Sequence, residues 1–127
     1  MTKYNEADFT ENNYKNLLGK INTNTIFYDE IDTKNSFTLW RHDVDFSIHR
    51  AFALANVEKK MKIKATYFIQ LGSFFYNIFE EEIKELILKI LSLGHQIGLH
   101  FDPTQYDIKS IKELEKHLNF EKKILEN

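Results

Sequence analysis

Two short stretches concentrate the residue types that could do chemistry. Arg41-His42-Asp43-Val44-Asp45 holds two carboxylates one residue apart, and Gly98-Leu99-His100-Phe101-Asp102 holds an imidazole and a carboxylate at the same spacing. In an extended chain alternate side chains share a side, so Arg41, Asp43 and Asp45 fall together while His42 and Val44 fall opposite. His100 and Asp102 match in parity likewise. One histidine and several carboxylates suit Zn2+ or a similar divalent ion. The chain has no cysteine, so disulfides and thiolate sites are excluded and any metal must be held by His and carboxylates. Taken singly, Asp45 could cap the helix that starts near Ser47, and His100 could be a hydrogen-bonded core histidine.

The elements around these residues decide whether they meet. Thr10 is a good helix N-cap, followed by Tyr14, Leu17, Leu18 and Ile21 at roughly helical spacing, with Gly19 near the end. A short extended run covers Thr25 to Tyr28. Ser36 to Asp43 reads as one strand rich in aromatic and β-compatible residues. Ser47 then caps a helix from Ile48 to Lys60, whose apolar stripe is Ile48, Ala51, Phe52 and Ala55. A strand is expected over 63–70 and a helix over 80–93, ended by Gly94. Another strand follows over 96–100 and is stopped by Pro103. A last helix over 108–125 carries Ile111, Leu114, Leu118 and Ile124.

The alternation of strand and helix with short connections predicts an α/β fold with parallel strands and right-handed crossovers. Functional residues gather at the C-terminal edge of parallel strands. Topology alone can therefore bring Asp43 and Asp45 beside His100.

Composition narrows the function classes. The 127 residues are 43% hydrophobic and 28% charged, which suits one folded domain or part of one. The net charge of −2 argues against nucleic acid as a partner. Lys and Glu alternate along the expected helices, as on solvated faces. The stretch Met1-Thr2-Lys3-Tyr4-Asn5-Glu6 is polar and leads into no apolar run. No export signal and no membrane span are expected, and the chain reads as cytoplasmic. The glycines of Gly94-His95-Gln96-Ile97-Gly98 flank a strand rather than join strand to helix, so no dinucleotide or phosphate loop is present. The nucleophile-elbow pattern is absent too. His42-Asp43 ends a strand, unlike the helical His-Asp pair of HD-type phosphohydrolases.

Together these motifs resemble the polysaccharide deacetylases (the NodB-homology, carbohydrate-esterase group). Asp43-Val44-Asp45 is similar to their first motif, Gly94-His95-Gln96-Ile97-Gly98-Leu99-His100 to their second, and Ala65-Thr66-Tyr67-Phe68 to the strand between. The R-H-D-V-D and G-L-H-F-D runs look most like the WbmS-like branch encoded with bacterial surface-polysaccharide genes. The resemblance runs roughly from Thr10 onward. It implies that Asp43 is a general base and that Asp45 and His100 bind a divalent metal, zinc. It further implies hydrolysis of an N-acetylated carbohydrate to acetate and a free amine. The implied fold is the N-terminal part of a distorted (β/α) barrel.

The chain departs from that family in two places. Thr104 stands where a second metal-binding histidine is common, and Asp102 is the nearest substitute by parity. The later strands, with an arginine that positions the base and a late acid histidine, have no counterpart; His117 falls among Lys and Glu on the last helix, where a solvated surface is expected. Arg41 could orient Asp43 or form a structural ion pair. A barrel of this type takes about 250 residues. The expectation is thus a single partial domain over 1–127. A second chain, identical or complementary, would supply the rest of the barrel, or the chain is a non-catalytic remnant of such an enzyme.

Overall fold

The structure, a computed structural model, describes residues 5–127. Met1 to Tyr4, where the polar N-terminal stretch begins, lie outside the described residues. Helix α1 (Glu11–Leu18) begins where Thr10 Oγ1 accepts a hydrogen bond from the Asn13 amide at 3.2 Å, and Gly19 follows its last turn. Strands β1 (Asn24–Thr25) and β2 (Phe37–Thr38) pair in parallel as a small sheet. Strands β3 (Arg41–Val44), β4 (Thr66–Ile69) and β5 (Gln96–Leu99) form a second parallel sheet in that order. Helix α2 (Ile48–Lys60) links β3 to β4, α3 (Glu81–Ser92) links β4 to β5, and α4 (Ile111–Glu126) closes the described chain. Among the described residues the fold is mixed α/β, with four α-helices and short parallel strands. Among the described residues the two sheets do not join into a barrel. No described helix is long and apolar enough to cross a membrane.

Two strand expectations need correction. The strand expected from Ser36 to Asp43 is broken, because the chain changes pairing partner at Leu39-Trp40. β2 lies beside β1, whereas the Trp40 carbonyl opens the ladder with β4 by accepting from the Thr66 amide at 2.9 Å. The run from Thr25 to Tyr28 also shortens. Tyr28–Glu30 forms a 3-10 turn in which Glu30 Oε2 accepts from the Phe27 amide at 2.9 Å.

The core lies between the three-stranded sheet and helices α2 and α3. Ile48, Ala51 and Ala55 of α2 meet Tyr67 and Ile69 of β4 and Ile83 and Ile90 of α3, all buried. Gly94 follows α3 with φ +91°, the left-handed conformation that glycine adopts without strain. The last helix departs from expectation. Ile111 of its apolar stripe is 77% exposed, while Glu121 is buried and accepts from the Tyr106 hydroxyl at 2.5 Å. Leu88 and Leu91 of α3 are exposed too. They border an apolar groove of about 1320 Å3 between α3, β5 and α4, with Ile87, Ile97 and Leu118 on its walls.

On the sheet face opposite α2 and α3, the Phe68 ring covers Gly98 of the neighbouring strand. A Cβ at position 98 would sit 2.5 Å from Phe68 Cε1. Gly98→Val should therefore lower stability by about 1–3 kcal/mol through overpacking. A urea midpoint equal to that of the native chain would show that Phe68 does not lie there.

Candidate functional site

The register of the three-stranded sheet sets the site. Val44, Ile69 and Leu99 are its last paired rung, so the next residues along, Asp45, Gln70 and His100, stand side by side at the C-terminal edge. The His100 amide continues the ladder by donating to the Ile69 carbonyl at 2.8 Å. Tyr76 locks the other strand ends together: its hydroxyl donates to the Val44 carbonyl at 2.6 Å and accepts from the Gln70 amide at 2.9 Å. Burial raises the pKa of that hydroxyl above its ordinary value.

Asp45 and His100 reach each other over the end of β4. Asp45 Oδ1 is 3.0 Å from His100 Nδ1. The approach does not meet hydrogen-bond geometry, and Nδ1 is a buried polar atom with no hydrogen-bond partner. Gln70 Nε2 donates to the same Oδ1 at 3.2 Å. Asp45 does not cap α2, since Ser47 Oγ does so by accepting from the Arg50 amide at 3.2 Å. Neither simpler account of these residues describes them here, for His100 is not a satisfied core histidine either.

Asp43 sits two register levels below Asp45, on the same face of the sheet and beside Phe68. Arg41 donates from Nε to Asp43 Oδ1 at 3.1 Å, and a second guanidinium nitrogen pairs with the same oxygen. The guanidinium also lies over the Phe68 ring, 4.3 Å from its centroid. Tyr28 packs edge-on against that ring at 5.6 Å. Arg41 is thus fixed from below by aromatic packing and holds one oxygen of Asp43. Asp43 and Asp45 line one shallow cavity of about 230 Å3 with Phe46 and Arg50.

Asp102 has a different task. Its Oδ1 accepts from the Thr104 hydroxyl at 2.6 Å and the Thr104 amide at 3.0 Å, capping a 3-10 turn over Pro103–Gln105. These bonds, the hydroxyl one first, hold its carboxyl below the usual carboxylate range. Asp102 is committed to the turn and does not stand in for the missing histidine. Among the described residues, no group of three or more His, Asp or Glu side chains is arranged to hold a metal ion. His117 is half-buried rather than solvated, stacked on Tyr106 with ring centroids 4.1 Å apart. The Glu121 hydrogen bond, with burial second, pushes the Tyr106 hydroxyl up to about 12.

A second polar cluster lies behind β3. Glu58 on α2 is fully buried. It accepts hydrogen bonds from the Tyr14 hydroxyl at 2.5 Å and the Tyr67 hydroxyl at 2.6 Å, and it contacts His42 Nε2. The Trp40 indole N–H donates to Tyr14 at 3.0 Å. His42 also stacks on Tyr67, with centroids 4.6 Å apart. Burial pushes the Glu58 carboxyl up. The hydrogen bond and charge of His42 and the two tyrosine bonds outweigh that and hold it below the usual carboxylate range. Burial and the Glu58 charge push Tyr14 and Tyr67 well above theirs. His95 is buried beside this cluster. Its Nδ1 accepts from the Ala65 amide at 3.2 Å, which assigns the proton to Nε2 for donation to the Ala55 carbonyl at 3.0 Å.

The expectation of solvated Lys and Glu faces missed Glu58. A signal was available, because Ile48, Ala51, Ala55 and Glu58 are spaced three, four and three along α2 and share its apolar face. Gln70 had no comparable signal, since its place between Asp45 and His100 depends on strand register.

The mouth of the site is aromatic. Phe46, next to Asp45, meets Phe75 edge-to-face at 4.7 Å, and both rings are more than 60% exposed. Ser73 Oγ donates to the Asp45 carbonyl at 3.3 Å and accepts from the Phe75 amide at 3.1 Å, tying the loop after β4 to the site. Compared with protein-family models, with curated proteins and with solved structures, the chain matches nothing.

Proposed function

We propose that this chain carries the metal-site part of a polysaccharide-deacetylase-like enzyme. Its reaction would be hydrolysis of N-acetyl groups on a sugar of a bacterial surface polysaccharide or its precursor. The observation that supports this most is the meeting of Asp45 and His100. They are far apart in sequence, yet a carboxylate oxygen and a buried, unpartnered ring nitrogen lie 3.0 Å apart. That donor pair fits a divalent ion such as zinc. The ion would supply Lewis acidity, polarising an acyl carbonyl and acidifying water.

The remaining roles fall to the chain itself. Asp43 takes a proton from the attacking water, and Arg41 fixes the carboxylate that does so. The water oxygen ends on acetate, the C–N bond breaks, and both water hydrogens end on the leaving nitrogen, which departs as an ammonium. The exposed rings of Phe46 and Phe75 offer a flat apolar rim beside these polar groups, which suits the apolar face of a sugar ring. The parallel strands and intervening helices are compatible with one side of a (β/α) barrel.

The test is acetate release from an N-acetylated oligosaccharide by the purified chain loaded with Zn2+. Release should depend on the metal and stop on chelation. His100→Ala should lower bound metal at least about tenfold, since even partners outside the ligand shell contribute that much. Equal metal content in His100→Ala and the native chain sinks the assigned ligand.

The groove between α3, β5 and α4 favours a second reading, in which the chain is a subunit that needs another polypeptide for activity. An apolar concavity of about 1320 Å3 flanked by exposed leucines is more than isolated surface side chains produce. Sedimentation as a monomer, together with one cooperative unfolding step, counts against it.

A further inference from the structure

The three strands of the main sheet each place one polar residue at the same level beyond their last paired rung: Asp45 from β3, Gln70 from β4 and His100 from β5. Gln70 is the central one. Its backbone is clamped by Tyr76, whose hydroxyl accepts from the Gln70 amide and donates to the Val44 carbonyl. Its side chain has no comparable anchor except Asp45, to which Nε2 donates at 3.2 Å. The same Asp45 oxygen faces the unpartnered Nδ1 of His100 at 3.0 Å. Amide, carboxylate and imidazole therefore converge at one point. The residue in the customary place for another ligand, Thr104, is turned instead toward Asp102, to which both its amide and its hydroxyl donate.

We infer that Gln70 is the third protein donor of this site, through its side-chain carbonyl oxygen. The inference rests on the Asp45–His100 pair being a metal site. A side-chain amide presents a donor on one edge and an acceptor on the other, and the torsion that exchanges them is soft. Without an ion, the N–H2 edge complements the negative Asp45 oxygen. With an ion, a half-turn brings Oε1 to face the positive charge while the backbone stays where Tyr76 holds it. The net ligand charge is then −1, as it would be with one carboxylate and two neutral histidines. The donor set differs in hardness, however. A carbonyl oxygen in place of an imidazole suits Mn2+ or Mg2+ better than it suits Zn2+. The site should thus discriminate less strongly in favour of zinc than a two-histidine site does.

The deciding experiment is calorimetric titration of Mn2+ and Zn2+ into the full chain and three variants, with a thermal melt to verify folding. Gln70→Leu should weaken both metals about 10- to 100-fold. Gln70→Glu, which keeps an oxygen donor and adds charge, should bind at least as tightly as the native chain. Asp45→Ala should lose binding altogether. If Asp45→Ala loses the metal while Gln70→Leu keeps native affinity, the metal site stands and Gln70 is no part of it. Should Gln70→Leu fail to fold, a loss of affinity in Gln70→Glu overturns the assignment equally. If the native chain takes up neither ion, the metal reading falls and this inference falls with it.

Discussion

Glu58→Ala should lower the stability of this chain by about 3–5 kcal/mol, a large fraction of the about 5–15 kcal/mol that holds a typical domain folded. The variant leaves the Tyr14 and Tyr67 hydroxyls and the His42 ring without the acceptor they share, and an unsatisfied buried group costs about 1–3 kcal/mol. Glu58→Gln should be milder, because the amide keeps one acceptor but turns N–H groups toward other donors. The pH dependence has a definite sign. The Glu58 carboxyl is held below its ordinary value in the folded state. The unfolded chain therefore takes up a proton first as pH falls, near the ordinary glutamate value of about 4.3. The stability that Glu58 contributes is complete above that value and is lost as pH drops through its lower folded value. Urea midpoints at pH 7, 5 and 3 measure this. The native chain should lose more stability between pH 5 and pH 3 than Glu58→Gln does. Identical acid slopes would mean that the carboxylate is not charged in the folded state.

Asp43→Asn should reduce acetate release by about 10²- to 10⁴-fold, the usual contribution of a positioned base, which corresponds to roughly 3–5 kcal/mol of barrier. Metal content and the melting curve should stay close to native. Asparagine keeps the shape, and its carbonyl oxygen can still accept from Arg41 Nε. It cannot take the proton. The separation of effects is the useful part. Loss of turnover with metal retained marks Asp43 as the base, whereas loss of both would make it a ligand. Turnover that survives the substitution would remove Asp43 from the chemistry and leave Arg41–Asp43 as a structural ion pair. A partly exposed pair of that kind contributes little to stability, about 0–1 kcal/mol, so a large stability change is not expected here.

Much of this architecture was legible from local chemistry. Ser47 and Thr10 cap the helices that their side chains predict, and Gly94 ends α3 with positive φ, because caps and turns depend on a few neighbouring residues. Strand parity also held. Asp43 lies in register with Phe68 and Gly98 on one side of the sheet, while Val44 turns into the core on the other. The long strand through Trp40 was not legible. Which neighbour a segment pairs with depends on residues far along the chain, and the partner changes between Thr38 and Trp40. The last helix misled for a related reason: an apolar stripe shows which residues seek cover, not whether anything in the chain covers them.

By itself, the sequence determined the order of strands and helices, the absence of thiol chemistry, and two polar clusters at strand ends whose parity let them face one way. Only the tertiary structure decided what those clusters touch. It set Asp45 against His100 across the end of β4, withdrew Asp102 into a turn, and brought the Gln70 amide to the same Asp45 oxygen. It also buried Glu58 among Tyr14, Tyr67 and His42, where the alternation of Lys and Glu had suggested a solvated charge. The reason is physical. Parity and capping are fixed within one turn or one strand, whereas contacts between strand ends follow from register and packing, which the whole chain settles together.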